Sequence, residues 1–379
     1  MVATTLSSHR GPVRRFCVDA NLLADPPGAT DAWFRSTAFD NLEELEFSSN
    51  QHSPPPMSIF RFSPALRAVT VEKTVLADAV FHGLHFPVLK HLGLSEVAIS
   101  EMSLHSLIAG CPALEHLLIS NCIGVNCVRI NSLSLVSVGA RLSGLRRPMC
   151  PLLLGKIVIE NAPRLERLLL LNSGTRLHVT VVAAPKLETL GYLNDEHYYS
   201  GFSRLVFGST VIQGLRIVDE LVTVVRTVKT LSLNMDSVNL DRLIELMRCF
   251  PCMEKLYIRL PKSGPSNLWR RKHRDLIKCL DIRLKTIVLG SYLGNKTQLN
   301  FATFFVLNAR VLESMTLEYY ADSRLDDKEF LSKQFRDLQL ESRASRGAKF
   351  YLTTNKSIRN HWEFNHVRDL DLADPFACE

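Results

Sequence analysis

Few residues of this chain have types and spacing that could do chemistry. Cys249-x-x-Cys252 is half of a zinc or dithiol site, and its thiolates would need a second pair, or two histidines at ligand spacing, to close a tetrahedron around an ion. Neither follows, and Cys249 ends a stretch with the apolar stripe of a helix, so both cysteines are expected to be structural. Cys122 and Cys127 lack histidine partners at the required separation. His361-x-Glu363-x-x-His366 offers three ligand-type side chains, but in an aromatic, polar tail without the i, i+4 histidine pair of a metal-binding helix. A glycine-rich phosphate loop, a G-x-S-x-G elbow and an H-E-x-x-H helix are all missing from the sequence. No catalytic, cofactor-binding or metal residue is therefore assigned, and the chain is not expected to be an enzyme.

The elements that would position any site come from a repeat. L-x-x-L-x-L, with other apolar residues standing in for Leu, recurs throughout, most clearly after prolines: Pro112-Ala-Leu-Glu-His-Leu117, Pro163-Arg-Leu-Glu-Arg-Leu168, Pro185-Lys-Leu-Glu-Thr-Leu190 and Pro251-Cys-Met-Glu-Lys-Leu256. With Pro64 and Pro87 the steps are 23, 25, 51, 22 and 66 residues, of which 51 and 66 divide into two and three periods. A period in the twenties is that of leucine-rich repeats. Copies without proline, such as Leu42-Glu-Glu-Leu45, Ile130-Asn-Ser-Leu133 and Leu284-Lys-Thr-Ile287, fill the gaps. Alternation puts Leu117 and Ile119 on one face of a short strand. One such face buries too little to hold a repeat alone, so stability is a sum over neighbours. The expected fold is an α/β leucine-rich-repeat solenoid, with parallel strands lining a curved array and helices or extended segments outside.

The outer segments change along the chain. Ser100 to Cys111 reads as a helix capped by Ser100, and Asn239 to Phe250 as one capped by Asn239. Between them the steps shrink to 11 residues (Leu154 to Leu165) and 10 (Phe202 to Ile212), too short for a helix. Residues 125 to 235 therefore read as strand following strand.

The apolar fraction, 46%, is ample for a core, and the net charge of +7 is modest for 379 residues. No run approaches the 18 apolar residues of a membrane span, and the first residues lack the apolar stretch of a signal peptide. An intracellular protein, cytoplasmic or nuclear, is expected, with its nine cysteines reduced. The one dense basic run, Arg270-Arg-Lys-His-Arg274, lies in a segment rich in Pro, Gly and Ser and reads as a solvated loop in preference to a nuclear-import signal or an anionic contact. Nucleic acid and membrane are not expected partners, and no cofactor is expected.

The C-terminal third reads as a strand at 283–292, a turn at Gly294, a helix from about Asn300 to Arg310 capped by Asn300, a strand at 312–320, a charged helix near 326–342 and a last strand from Lys349 to Thr353. Leu284-Lys-x-Ile287, Gly294-Asn295, Phe301-Ala302-x-Phe304-Phe305 and Asn308-Ala309-Arg310-Val311-Leu312-Glu313 resemble the FBD domain that ends plant F-box/leucine-rich-repeat proteins. Asp369-Leu-Asp-Leu-Ala-Asp-Pro-Phe376 resembles the tail of its grass members.

The resemblance implies five segments: a lead-in at 1–38, a repeat array at 39–258, a basic loop at 259–275, an FBD-like domain at 276–353 and a tail at 354–379. It implies a non-enzymatic protein-binding receptor, the substrate-recognition part of an F-box ubiquitin ligase, that holds its target on the repeats. A Skp-type adaptor and cullin would join only where an F-box is supplied, and no helical F-box pattern is read upstream of Leu42. The alternative is a stand-alone interaction module without a ligase link. Glu115, His116, Glu166, Arg167, Glu188 and Glu254 sit within the repeats, but no pattern marks them as a binding site.

Overall fold

The structure, a computed structural model, describes residues 11–19, 29–49, 53–81, 83–143, 154–173, 176–195, 203–218, 223–261, 282–320, 328–355 and 364–376. The chain divides into two compact units, residues 1–186 with 364–375, and residues 187–363 with 376–379.

In the first unit each repeat delivers one strand to a parallel ladder: β1 (Arg15–Asp19), β2 (Glu44–Ser48), β3 (Ala68–Glu72), β4 (His91–Ser95), β5 (His116–Ser120), β6 (Ser137–Ser143) and β7 (Arg167–Ser173). Parallel neighbours need a crossover, and the residues between copies of the repeat provide it. The leading leucines Leu42, Leu66, Leu89, Leu114, Leu135 and Leu165 are at most 2% exposed and stack into the core. Helix α1 spans Ala29–Phe34. Helix α2 spans Glu101–Ala109, and the Ser100 hydroxyl accepts from the Ser103 N–H at its start, as a cap should. Where the steps shorten, the outer segments Cys127–Asn131, Lys156–Asn161 and His178–Val181 pair in parallel as a second ladder, as the spacing predicts.

The second unit continues the pattern with β8 (Thr189–Asn194), β9 (Thr230–Asn234), β10 (Lys255–Arg259), β11 (Thr286–Gly290), β12 (Ser314–Tyr320) and β13 (Lys349–Asn355), again parallel. Helix α3 is Leu240–Cys249, and Asn239 accepts from the Arg242 N–H. Helix α4 spans Lys296–Asn308 and α5 spans Lys328–Asp337. The cap of α4 is Asn295 rather than Asn300: its side chain accepts from the Gln298 N–H, and Gly294, at φ +67°, turns the chain into it. The helix therefore starts a turn earlier than expected. Buried Gln298 accepts from the Leu293 N–H and donates to the carbonyls of Pro261 and Ser291, while Tyr292 donates to buried Gln334 on α5.

Charges alternate along the ladder of the second unit at the residue just before each strand. Lys229 meets Glu188 and Lys285 meets Glu254, both at 2.8 Å, which holds Glu254 below the usual carboxylate range and raises both lysines. Exposed pairs of this kind add little individually but oppose like charges in register. Lys229→Glu puts three acidic side chains in a row with Glu188 and Glu254. It is expected to lower the melting temperature in dilute buffer, and calorimetry in 1 M salt should recover most of the loss.

Candidate recognition face

The parallel register lines up the side chains of the first ladder that point away from the leucine core. One row is Glu44, Ala68, His91, His116, Ser137 and Arg167. The next is Glu46, Thr70, Gly93, Leu118, Gly139 and Leu169, and a third runs Ser48, Glu72, Ser95, Ser120 and Arg141.

This open face is occupied by the chain's own C-terminal segment, which forms a short 3-10 helix at Val367–Asp371. The turn is self-supporting: Asp369 accepts from the N–H groups of Asn365 and His366, and His366 Nδ1 accepts from the Arg368 N–H. That leaves the His366 Nε2 proton to donate to Thr70 Oγ1 at 3.2 Å, with Glu46 3.7 Å away. Arg368 pairs with Glu44, and Arg141 donates to Asn365. Asp371 lies 3.3 Å from His116 Nε2 and 3.9 Å from His91 Nε2.

Two glycines make room for the apolar contacts. A Cβ on Gly93 would stand 3.4 Å from Val367, and one on Gly139 only 2.8 Å from Leu370. Glycine inside a strand marks a close approach, and both glycines fall at the same outward repeat position. Val367 and Leu370 are fully buried, and Leu118 beside them is 2% exposed. The all-buried pattern of β5 follows: its leucine side faces the core and its other side faces the tail. In the second unit, by itself, Gly191 occupies the corresponding strand position, and Phe376 packs over it against Tyr192 and Tyr257.

His91 and His116 stack at 4.7 Å with their planes 17° apart. Burial lowers the pKa of both, His116 to about 4, so the imidazoles are neutral at pH 7. With Asp371 they bring three ligand-type atoms within 4.8 Å of one another. Both Nε2 atoms approach the Asp371 carboxylate, so the group closes on the tail as a polar clasp. The folded state binds fewer protons than the unfolded one between pH 6.5 and about 4. The contribution of His116 to stability is therefore constant above pH 6.5 and falls as the pH drops towards 4, by up to about 3 kcal/mol. His116→Gln should flatten that part of the profile in urea titrations run at several pH values.

Among the described residues, those singled out by type alone are not brought together. Cys249 is fully buried at the end of α3, and burial pushes its thiol up to about 11. Burial pushes Cys122 to about 12, and its thiol donates to the carbonyls of Leu94 and Ser120. His366 serves the tail turn, while His361, Glu363 and the basic run at 270–274 lie outside the described residues. An apolar cavity of about 40 Å³ among Phe47, Ile59, Leu66, Leu92, Leu94 and Leu107 has room for a few waters rather than a metabolite. Among the described residues, no helix is long and apolar enough to cross a membrane. Sequence reasoning passed over the open-face rows, yet two signals pointed to them: histidine at one repeat position in consecutive copies, and glycine at the next outward position.

Residues 30–258 match the family model described as FBD-associated F-box protein At5g56370, LRR repeats, and residues 272–317 match that of the FBD domain. A comparison with curated proteins finds no match. Repeats of this kind present extended surfaces for protein interaction. With more than half of its length matched by the repeat model, and with the parallel ladder that model requires, the chain belongs to the leucine-rich-repeat family of FBD-associated F-box proteins.

Proposed function

We propose that this chain is a non-enzymatic, intracellular protein-binding receptor, the substrate-recognition part of an F-box ubiquitin ligase in a plant. The observation that carries the reading is the open face of the first ladder, which holds a polypeptide segment by ion pairs, hydrogen bonds and glycine-floored apolar contacts. Membership of a family described as F-box proteins supports the ligase part of the reading. The repeat array at 39–258 would hold the target, the basic loop at 259–275 would join it to the FBD-like domain at 276–353, and the lead-in at 1–38 would continue towards the adaptor.

Two measurements test this. A benzoylphenylalanine at Ser95, in the third row of the face, is expected to crosslink to a target protein in plant cells. Fusing an F-box to the N-terminus is expected to recover the Skp-type adaptor and cullin together with that target. Target without any loss from cells when the F-box form is expressed would favour the stand-alone module, and no adduct from the face would remove the receptor reading.

A further inference from the structure

We infer that residues 364–371 are an internal ligand of the open face, and that the receptor's partner presents the same chemistry: a capped turn carrying an apolar residue, Arg, a spacer, an apolar residue and Asp in that order. The inference rests on the receptor reading above and adds what the face recognises and what competes for it.

The contacts have the form of recognition between chains. Glu44 and Arg368 are joined although 324 positions apart, and Arg141 and Asn365 although 224 apart, so nothing in local chain geometry sets these pairs. Polarity is complementary along the face: Glu44 pairs with the Arg368 guanidinium, Glu46 lies beside His366, and the neutral imidazoles of His91 and His116 meet the Asp371 carboxylate. The glycine at 139 leaves a step that Leu370 fills beside Leu118, and at Gly93 Val367 packs beside Thr70. The turn carries its own capping box, so a free segment of that sequence pre-pays part of its ordering on binding. The polar pairs around those two anchors are partly exposed, with Arg368 at 41% and Asp371 at 60%. Such pairs set orientation and register more than they add strength. A segment held in this way can leave when a partner with the same side chains is present, because a tethered ligand competes at an effective concentration of about millimolar.

The probe is a fluorescent peptide of residues 364–371. Its anisotropy is read against the wild-type full chain and against a full chain carrying Val367→Asp and Leu370→Asp, which frees the tail. At least tenfold tighter binding to the freed chain is expected, lost when the peptide itself carries Leu370→Asp. If the double variant does not fold by circular dichroism, amide exchange in the wild-type chain decides: about 1 mM peptide should speed exchange at residues 365–371. A folded, freed chain that binds the peptide no better than wild type overturns the inference, as does tail exchange unchanged by peptide. If the peptide fails while Ser95 still crosslinks to a target, the internal-ligand inference falls and the receptor reading stands. Failure of both removes both.

Discussion

Leu118→Ala is expected to lower the free energy of unfolding by about 2 to 5 kcal/mol in urea, as much as Leu117→Ala. Strand alternation alone would make these two changes opposite in effect, since Leu117 faces the leucine core and Leu118 faces outwards. The tail cancels the difference. Leu117 is fully buried and Leu118 is 2% exposed, the latter because Leu370 lies over it at the step left by Gly139. Deleting either side chain leaves a cavity that neighbouring strands cannot collapse into. Leu370→Ala should couple to Leu118→Ala, with an interaction of about 0.5 to 3 kcal/mol in a double-mutant cycle, and should be additive with Leu117→Ala. Glu115→Ala, at a half-buried position where the side chain pairs with Lys90, is expected to be nearly neutral. Full loss in Leu117→Ala beside a loss under about 1 kcal/mol in Leu118→Ala would mean that the tail does not seal the face in solution.

The repeat was legible because its signal is local and periodic. Leu114, Leu117 and Ile119 declare a strand and its buried side without reference to any other part of the chain, and Ser100 and Asn239 announce their helices by the cap alone. Step length told helix from outer strand, since about a dozen residues cannot make a crossover helix and still return to the ladder. The start of α4 was misread because Phe301, Phe304 and Phe305 fit a helix beginning at either asparagine. The left-handed turn at Gly294 settles it, and the earlier asparagine takes the cap.

The recognition face was legible only in part. His91 and His116 share a repeat position, so their alignment follows from the repeat register. Their partner does not. Asp371 comes from a segment more than 250 positions further on, and a contact between distant residues leaves no period in the sequence. Gly93, Gly139 and Gly191 were the readable hint, because glycine in a strand that otherwise wants branched side chains means that something must come close.

The third of these glycines carries the other large effect. Phe376→Ala is expected to cost about 3 to 5 kcal/mol, read as a shift of the urea midpoint at unchanged slope. Phe376 is 1% exposed, with Tyr192 and Tyr257 at 5.1 and 5.3 Å between ring centres, the first edge-on. Such pairs add about 0.5 to 1.5 kcal/mol beyond the area they bury. The site has no slack on its floor: a Cβ on Gly191 would come within 2.7 Å of both the ring tip of Phe376 and Ser232 Cβ. Gly191→Ala should therefore destabilise as well, by displacing a rigid ring rather than a flexible side chain. Because part of that cost is the clash with the ring, it should shrink in a Phe376→Ala background, while the part due to Ser232 remains. Phe376→Leu should recover some of the buried area but none of the edge-on contact, and so fall between the two. If Phe376→Ala shifted stability by less than about 1 kcal/mol, Phe376 would be an ornament on the second unit's ladder rather than part of its core.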